Sequence, residues 1–198
     1  MRLGIACLPG LLIGLALAGC DRQKAAAPQG EAPEAGAANA AAPPGQPYPT
    51  GVLDRSHAGT PAPAALFEDG EGRPARFSAF RGRPFLVNFW ATWCAPCVVE
   101  LPSLDALAAR EAGRVAVIAV SQDLDGRQRV TEFFARRRFT RLEPYLDPRM
   151  DLMPALGIDT LPTTILYDAQ GREVWRMTGM AEWGDQRTTR LLREADAG

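Results

Sequence analysis

Three segments between residues 85 and 168 predict the central strands of a β-sheet. They are Phe85–Trp90, Val115–Val120 and Thr163–Asp168. The first two are nearly continuous apolar runs, which are typical of strands buried on both faces. Shorter extended segments are predicted at 143–147 and 173–177, and an Asp-Gly pair within 66–77 predicts the turn of a hairpin.

Apolar residues at helical spacing separate these strands. The spacing predicts helices over 95–110, 126–138, 151–156 and 182–195. Pro102 is expected to kink the first of these helices, and Gly157 is expected to end the third. Strands that alternate with helices and finish in an antiparallel pair predict an α/β sandwich with a mixed sheet.

The first 20 residues have the pattern of an export signal. Arg2 is followed by an apolar run that is shorter than the roughly 20 residues of a membrane-spanning helix. The run ends in Leu-Ala-Gly-Cys, which resembles the bacterial lipobox and implies that Cys20 is lipidated. A plain signal anchor and a differently cut secretory signal are the alternatives, and both also place the rest of the chain outside the cytoplasm. Asp21 resembles the inner-membrane retention signal of enteric bacteria.

Residues 21–60 are predicted to form a disordered tether between this signal and a globular domain over residues 61–198. The segment is rich in Ala, Pro and Gly and shows no hydrophobic periodicity, so it lacks the apolar surface needed to order itself. A flexible chain of roughly 40 residues has a mean span on the order of 35 Å. His57, near its end, is expected to be solvated.

The chain has 22 basic and 23 acidic residues and a net charge of −1, which does not predict nucleic-acid binding. Its four cysteines are Cys7, Cys20, Cys94 and Cys97. With Cys7 in the signal and Cys20 lipidated, Cys94 and Cys97 form the one free pair of the mature chain. Two thiols and a distant His57 make a poor zinc ligand set, so we expect no metal.

The Cys94–Cys97 pair follows the first apolar run directly and precedes a predicted helix. The first turn of a helix has unpaired N–H groups and the positive end of the helix dipole. A thiolate there is stabilised, its pKa falls, and it attacks disulfides at neutral pH. The pattern therefore predicts a redox-active dithiol.

Three spaced motifs resemble the thioredoxin superfamily and, within it, the membrane-anchored reductases of the TlpA/ResA type. They are Asn88–Cys97, Glu100-Leu101-Pro102 and Leu161-Pro162-Thr163-Thr164. The resemblance extends from about Pro61 to the C-terminus. It implies a thioredoxin-like three-layer sandwich, a mixed central sheet flanked by helices with an N-terminal hairpin extension.

The resemblance also implies a role for each motif residue. Cys94 is expected to be the attacking thiolate, Cys97 the resolving thiol, and Glu100 the acid/base for Cys97. A Glu favoured only by the helix dipole is the alternative for Glu100. Asn88 occupies the position at which thioredoxin carries a titrating Asp.

The resemblance also implies supporting roles for Pro162, Trp93 and Pro96. Pro162 resembles the cis-proline of the family, which would turn the backbone of Leu161 toward a partner's extended segment. Trp93 and Pro96 are expected to shape and rigidify the loop without reacting.

These features predict an enzyme that reduces protein disulfides outside the cytoplasm. Ala95-Pro96, between the cysteines, carries no His of the kind found in strongly oxidising relatives, which favours a reductant. Expected partners are disulfide-bonded proteins (apocytochrome c or copper-site cysteines), an inner-membrane thiol-electron donor, and the bilayer through Cys20. The redox-active disulfide itself would serve in place of a cofactor.

Other functions fit the residues less well. A peroxiredoxin needs a Pro-x-x-x-Thr-x-x-Cys setting, which is missing before Cys94. A copper metallochaperone on this fold would resemble Cys-x-x-x-Cys with a later His, whereas this chain has two residues between its cysteines and no His after His57. A thiol oxidase or isomerase stays open as an alternative direction of the same chemistry. A catalytically silent binding module is disfavoured because every redox position is filled.

Overall fold

One eight-stranded mixed sheet forms the centre of the protein. The computed structural model describes residues 50–124 and 126–197. The strands are β1 (Val52–Asp54), β2 (Phe67–Glu68), β3 (Pro74–Ala75), β4 (Phe85–Trp90), β5 (Ala116–Ser121), β6 (Pro144–Leu146), β7 (Thr163–Tyr167) and β8 (Glu173–Thr178). The α-helices are α1 (Ala95–Arg110), α2 (Gly126–Arg137), α3 (Leu152–Leu156) and α4 (Gln186–Arg193). The strand order is β1-β8-β7-β4-β5-β6-β2-β3.

The three segments predicted as central strands lie side by side at the middle of the sheet, as the sequence predicts. Strand β4 is buried along its whole length, and it pairs in parallel with β5 and antiparallel with β7. Val87 is opposite Ile118 on one side and Ile165 on the other. Side chains from both faces of β4 enter apolar cores, Leu86 and Trp90 on one face and Val87 and Phe89 on the other, so neither face meets water and the run shows no regular polar alternation.

Two apolar cores, one on each face of the sheet, complete the predicted three-layer sandwich. On one face α1, α2 and α4 contribute Leu104, Phe133, Leu192 and their neighbours. On the other face α3 and a 3-10 helix over Phe77–Phe80 cover the sheet. The mixed sheet flanked by helices is confirmed.

The N-terminal hairpin extension is present, but its turn differs from the predicted Asp-Gly turn. Strands β2 and β3 are two residues each, and β2 also pairs with β6. A five-residue connection over 69–73 joins them, with Gly72 at φ 85°. The Asp69 carboxylate accepts from the N–H groups of Glu71 and Arg73, so the side chain rather than a two-residue turn closes the loop.

The predicted end of the tether at residue 60 is wrong. Val52–Asp54 form β1, which pairs antiparallel with Arg176–Thr178 at the edge of the sheet. Gly51 N–H donates to the Met180 carbonyl at 2.7 Å. Composition did not indicate this strand because an edge strand buries little side-chain area, and Val52 is 71% exposed. Residues 1–49, with the predicted signal, the lipobox and most of the tether, lie outside the described residues.

The last helix starts later than predicted. Helix α4 begins at Gln186, where the Asp185 side chain caps it by accepting from the Thr188 N–H at 2.7 Å. The preceding residues Ala181–Gly184 form a loop whose Trp183 is completely buried. Tertiary packing of the indole therefore overrides the helical spacing of this segment.

In the part of the chain that the structure describes, no helix combines the length and the apolar character needed to cross a membrane.

A buried ion pair stabilises the position of the segment that precedes Pro162. Arg176 on β8 binds Glu173 through two hydrogen bonds of 2.7 Å, and both side chains are buried. The same guanidinium donates to the Leu156 carbonyl at 2.8 Å, at the C-terminal end of α3. The pair thus holds the start of the 157–162 connection against the sheet.

We expect Arg176→Met to lower the free energy of unfolding by about 3–5 kcal/mol, because it leaves the buried Glu173 carboxylate without its partner. The double variant Arg176→Met/Glu173→Met, which removes both charges, is the matched control and is expected to lose clearly less. Urea unfolding at pH 7 measures both. Equal losses in the single and double variants would contradict this account.

Candidate active site

The dithiol lies just after the central strand β4, at the start of helix α1. Strand β4 ends at Trp90, three residues follow, and Cys94 is the N-cap of α1. Cys94 and Cys97 are joined by a disulfide bond, and the Cys97 N–H points to Cys94 Sγ at 3.4 Å. Pro96 occupies the first turn of α1, where its missing N–H costs no intrahelical hydrogen bond.

Cys94 and Cys97 differ in solvent exposure. Cys94 is 6% exposed, whereas Cys97 is fully buried. Cys94 also sits at the N-terminal end of the α1 dipole, which favours its thiolate. The arrangement provides one thiol that a partner can reach and a second that is confined behind it.

Asp123, which the sequence analysis missed, locks the loop before Cys94. Its buried carboxylate accepts from the Thr92 N–H at 2.9 Å, the Thr92 hydroxyl at 2.6 Å and the Ser121 hydroxyl at 2.7 Å. A sequence signal existed, because Asp123 follows an apolar run predicted as a strand. Only the parallel pairing of β4 with β5 places the ends of both strands at one edge of the sheet.

Apolar side chains are exposed around this loop. Trp93 is 61% exposed and Leu124 is 66% exposed. The hydrogen bonds between Thr92 and Asp123 hold the two segments that carry these side chains together. Trp93 therefore presents most of its ring to solvent beside the dithiol.

Pro162 lies at the same end of the sheet, and its predicted cis peptide bond is confirmed. Strand β7 begins at Thr163, opposite Phe89, so Leu161-Pro162 precede β7 at the level where β4 ends. The buried Pro162 is held by its carbonyl, which accepts from the Gly179 N–H at 2.8 Å. Leu161 is half-buried and packs against both apolar cores.

Glu100, one helical turn beyond Cys97 on α1, is a buried carboxyl at 2% exposure. Oε1 accepts from Asn88 Nδ2 at 2.7 Å. Oε2 accepts from the Ala181 N–H at 3.0 Å and from Trp183 Nε1 at 3.4 Å. Burial raises the pKa of Glu100 to about 7, against the lowering effect of these three hydrogen bonds.

Asn88 connects Glu100 to the strand that follows Pro162. Its Nδ2 donates both to Glu100 Oε1 and to Thr164 Oγ1, the latter at 2.9 Å. The sequence analysis named Asn88 and Thr164 as motif residues but did not predict that they meet. It missed Ala181 and Trp183 as partners of Glu100, because they follow Glu100 by more than 80 positions in the chain.

The sequence also singles out Cys20 and His57. Cys20 lies outside the described residues. His57 is exposed in the turn after β1, with Nε2 3.9 Å from the Asp54 carboxylate. Among residues 50–124 and 126–197, no three His, Cys, Asp or Glu side chains converge as a metal-binding group.

The sequence and the structure were compared with known proteins. Residues 57–192 match the Redoxin family. The chain is 33% identical over 123 residues to the thiol-disulfide oxidoreductase ResA of Geobacillus thermodenitrificans, an alignment that covers 61% of this chain and 69% of that protein. It is 32% identical over 136 residues to ResA of Halalkalibacterium halodurans, covering 67% of this chain and 76% of the relative.

A solved structure shares the fold. The putative thiol:disulfide interchange protein DsbE of Chlorobium tepidum superposes with a TM-score of 0.63 at 23% identity, over 70% of this chain and 96% of that one. The Redoxin match spans the dithiol, Glu100 and Pro162, and the ResA relatives carry the enzyme activity in their names. The chain therefore belongs to the Redoxin family of the thioredoxin superfamily and is a ResA-like thiol-disulfide oxidoreductase.

Proposed function

We propose that the protein reduces disulfide bonds of exported proteins while anchored to the membrane outside the cytoplasm. The observation that carries the direction of the reaction is a buried carboxyl, rather than a cation, one helical turn from Cys97. A cation near the dithiol would stabilise the thiolate and hence the reduced form, which makes a protein oxidising. Glu100 acts in the opposite sense, and Ala95-Pro96 adds no charge between the cysteines.

In the first step, the Cys94 thiolate attacks one sulfur of the partner's disulfide. A Cys94–partner disulfide forms, the partner's S–S bond breaks, and the released partner thiolate takes a proton from water. The N-terminal end of α1 favours the attacking thiolate. The exposed Trp93 ring and the Leu161 backbone beside Pro162 are proposed to hold the partner's extended segment, while Pro96 keeps the first turn of α1 in shape.

In the second step, Cys97 gives its proton to Glu100 and attacks Cys94. The Cys94–Cys97 disulfide forms, and the partner's second sulfur leaves as a thiolate that is protonated. Two electrons have then passed from the dithiol to the partner. A buried thiol needs a base of matched pKa, and a Glu100 pKa of about 7 suits neutral pH.

The membrane position rests on the chain's own N-terminal residues. The Leu-Ala-Gly-Cys pattern ending at Cys20 supports lipidation, and acyl chains on Cys20 would provide a stable anchor. Asp21 supports retention at the inner membrane, next to a membrane protein that supplies thiol electrons. One solved structure of the same fold is described as an exposed lipoprotein thioredoxin of Streptococcus pneumoniae. Disulfides at apocytochrome c haem motifs or at copper-site cysteines are the proposed substrate classes.

We expect Cys97→Ala to accumulate a mixed disulfide on Cys94 when the reduced full-length chain meets insulin. The variant performs the attack but lacks the resolving thiol. Mass spectrometry without reductant detects the adduct, and Cys94→Ala is the control that should form none. The unmodified protein should reduce insulin and have a potential below about −200 mV. A potential near about −120 mV without insulin reduction would contradict the proposed direction.

We expect Glu100→Gln to slow resolution of the mixed disulfide by about 100-fold at pH 8. In the unmodified protein the resolution rate should fall as pH drops below about 7, because protonated Glu100 accepts no proton from Cys97. The variant should lose this pH dependence. Stopped-flow oxidation of the reduced protein by glutathione disulfide measures the rate, with Glu132→Gln on the exposed side of α2 as control. An unchanged profile would reduce Glu100 to a residue favoured by the helix dipole.

The raised pKa of Glu100 also predicts how stability depends on pH. The unfolded chain releases this proton near pH 4.5, whereas the folded protein keeps it until about pH 7. Stability should therefore decline as pH rises through this window, by up to about 3 kcal/mol from this group. Urea unfolding of the unmodified protein and of Glu100→Gln at pH 4, 6 and 8 isolates the effect in their difference. A difference that does not vary with pH would contradict the assignment.

A further inference from the structure

The three hydrogen-bond partners of the Glu100 side-chain carboxyl within the described residues are all donors. They are Asn88 Nδ2, the Ala181 N–H and Trp183 Nε1. An ionised carboxylate is satisfied by such a set, because it accepts only. A protonated carboxyl must also donate, and neither a backbone N–H nor an indole N–H can accept. The site as it stands therefore suits one of the two protonation states that the resolving step requires.

Asn88 is the one partner in this set that can change from donor to acceptor. Its amide carries Nδ2 and Oδ1 on opposite sides, and rotation about the last side-chain bond exchanges them. Asn88 is fully buried, and Oδ1 has no hydrogen-bond partner among the described residues. The acceptor that a protonated Glu100 needs is thus already present on the residue that binds Oε1.

The second neighbour of the amide permits the exchange. Nδ2 also donates to Thr164 Oγ1, a hydroxyl that is itself buried. A hydroxyl can accept from Nδ2 or donate to Oδ1 with equal ease. Thr164 therefore does not fix the orientation of the Asn88 amide, which depends instead on the protonation state of Glu100.

We propose that Asn88 is a positioning residue for the proton step, whose side-chain amide turns over when Glu100 gains or loses its proton. In the resolving step the Cys97 S–H bond breaks and the proton forms an O–H bond at Glu100 Oε1. That O–H then donates to Asn88 Oδ1. The electron pair left on Cys97 attacks Cys94 Sγ, so the Cys97–Cys94 bond forms, the Cys94–partner bond breaks and the partner's sulfur leaves as a thiolate. When a thiol donor later reduces the disulfide, Glu100 returns the proton to Cys97, and Nδ2 again donates to Oε1.

Among the described residues, few charged or titratable groups lie around Glu100, so a change in its protonation can be followed experimentally. On its own helix Cys97 precedes Glu100 by one turn and, like Glu100, is buried. The groups that face the carboxyl from other elements are the Asn88 amide on β4 and the N–H groups of Ala181 and Trp183. Within the described residues Glu100 forms no ion pair. A pH-dependent signal from Asn88 would therefore report on Glu100.

The inference rests on the proposed role of Glu100, and its test separates the two. Asn88→Leu keeps the volume of the side chain but removes donor and acceptor together. We expect it to slow the concentration-independent phase of oxidation by glutathione disulfide about tenfold at pH 8, the effect of one lost buried hydrogen bond. Glu132→Gln, on the exposed side of α2, is the control and should change the rate less than about twofold.

A double variant tests whether Asn88 acts through Glu100. Added to Glu100→Gln, Asn88→Leu should slow resolution no further, whereas independent effects would multiply. If Glu100→Gln slows resolution and Asn88→Leu does not, the Asn88 inference is overturned and the proposed function stands. If Glu100→Gln itself has no effect, the proposed proton route fails and the inference fails with it.

A measurement on the unmodified full-length protein keeps the test independent of how the variants fold. The side-chain amide resonances of Asn88 in ¹⁵N-labelled protein should shift with pH, with the same midpoint as the ¹³C carboxyl resonance of Glu100. Glu100→Gln should abolish the shift. Asn88 amide resonances that do not move while the Glu100 carboxyl titrates would overturn the proposal.

Discussion

The carboxyl of Glu100 connects three parts of the fold that are far apart in the chain. It stands on α1 behind the dithiol, accepts from Asn88 on the central strand, and accepts again from the loop between β8 and α4. Removing such a group from water is costly, and the cost is what moves its pKa to about 7. The three donors recover part of that cost, so the acid stays able to ionise near neutral pH. The same contacts tie the C-terminal segment to the helix that carries the cysteines.

Two buried carboxyls serve the dithiol in different ways because of what surrounds them. Asp123 accepts from the backbone and hydroxyl of Thr92, so it determines where the loop runs before Cys94. Among the described residues, the Glu100 carboxyl forms its hydrogen bonds with Asn88, Ala181 and Trp183, and it lies one turn beyond Cys97 on α1. In the proposed mechanism, the first carboxyl therefore holds the attacking Cys94 in place, and the second accepts the proton of the resolving Cys97. A wrong conformation of the loop and a wrong protonation state would consequently impair different steps.

The loop over Ala181–Gly184, near the C-terminus, contributes to the site around the dithiol. The loop over Ala181–Gly184 docks on α1 at Glu100, at Ser103 through the Trp183 N–H, and at Arg110, which donates to the Trp183 carbonyl. These contacts displace the start of α4 to Gln186, where Asp185 caps it. A helix over 182–195 would have satisfied the local spacing, but it would have removed two of the three donors from Glu100. The β1 strand is a comparable case, since its pairing with β8 extends the fold into a segment whose composition indicates a tether.

The sequence by itself determined the features that depend on local chemistry or on a continuous pattern. Nearly continuous apolar runs identified β4 and β5, because strands covered on both faces show little alternation with polar residues. The dithiol could be located because a Cys-x-x-Cys between a strand and a helix has its own chemical rationale. The cis bond before Pro162 was implied only by the resemblance of its motif to the thioredoxin superfamily. Tertiary structure alone decided which distant groups meet Glu100, and hence its pKa. Desolvation and hydrogen bonding act through space, so a Glu three residues after a Cys becomes a buried acid with a pKa of about 7 only when Asn88, Ala181 and Trp183 enclose it.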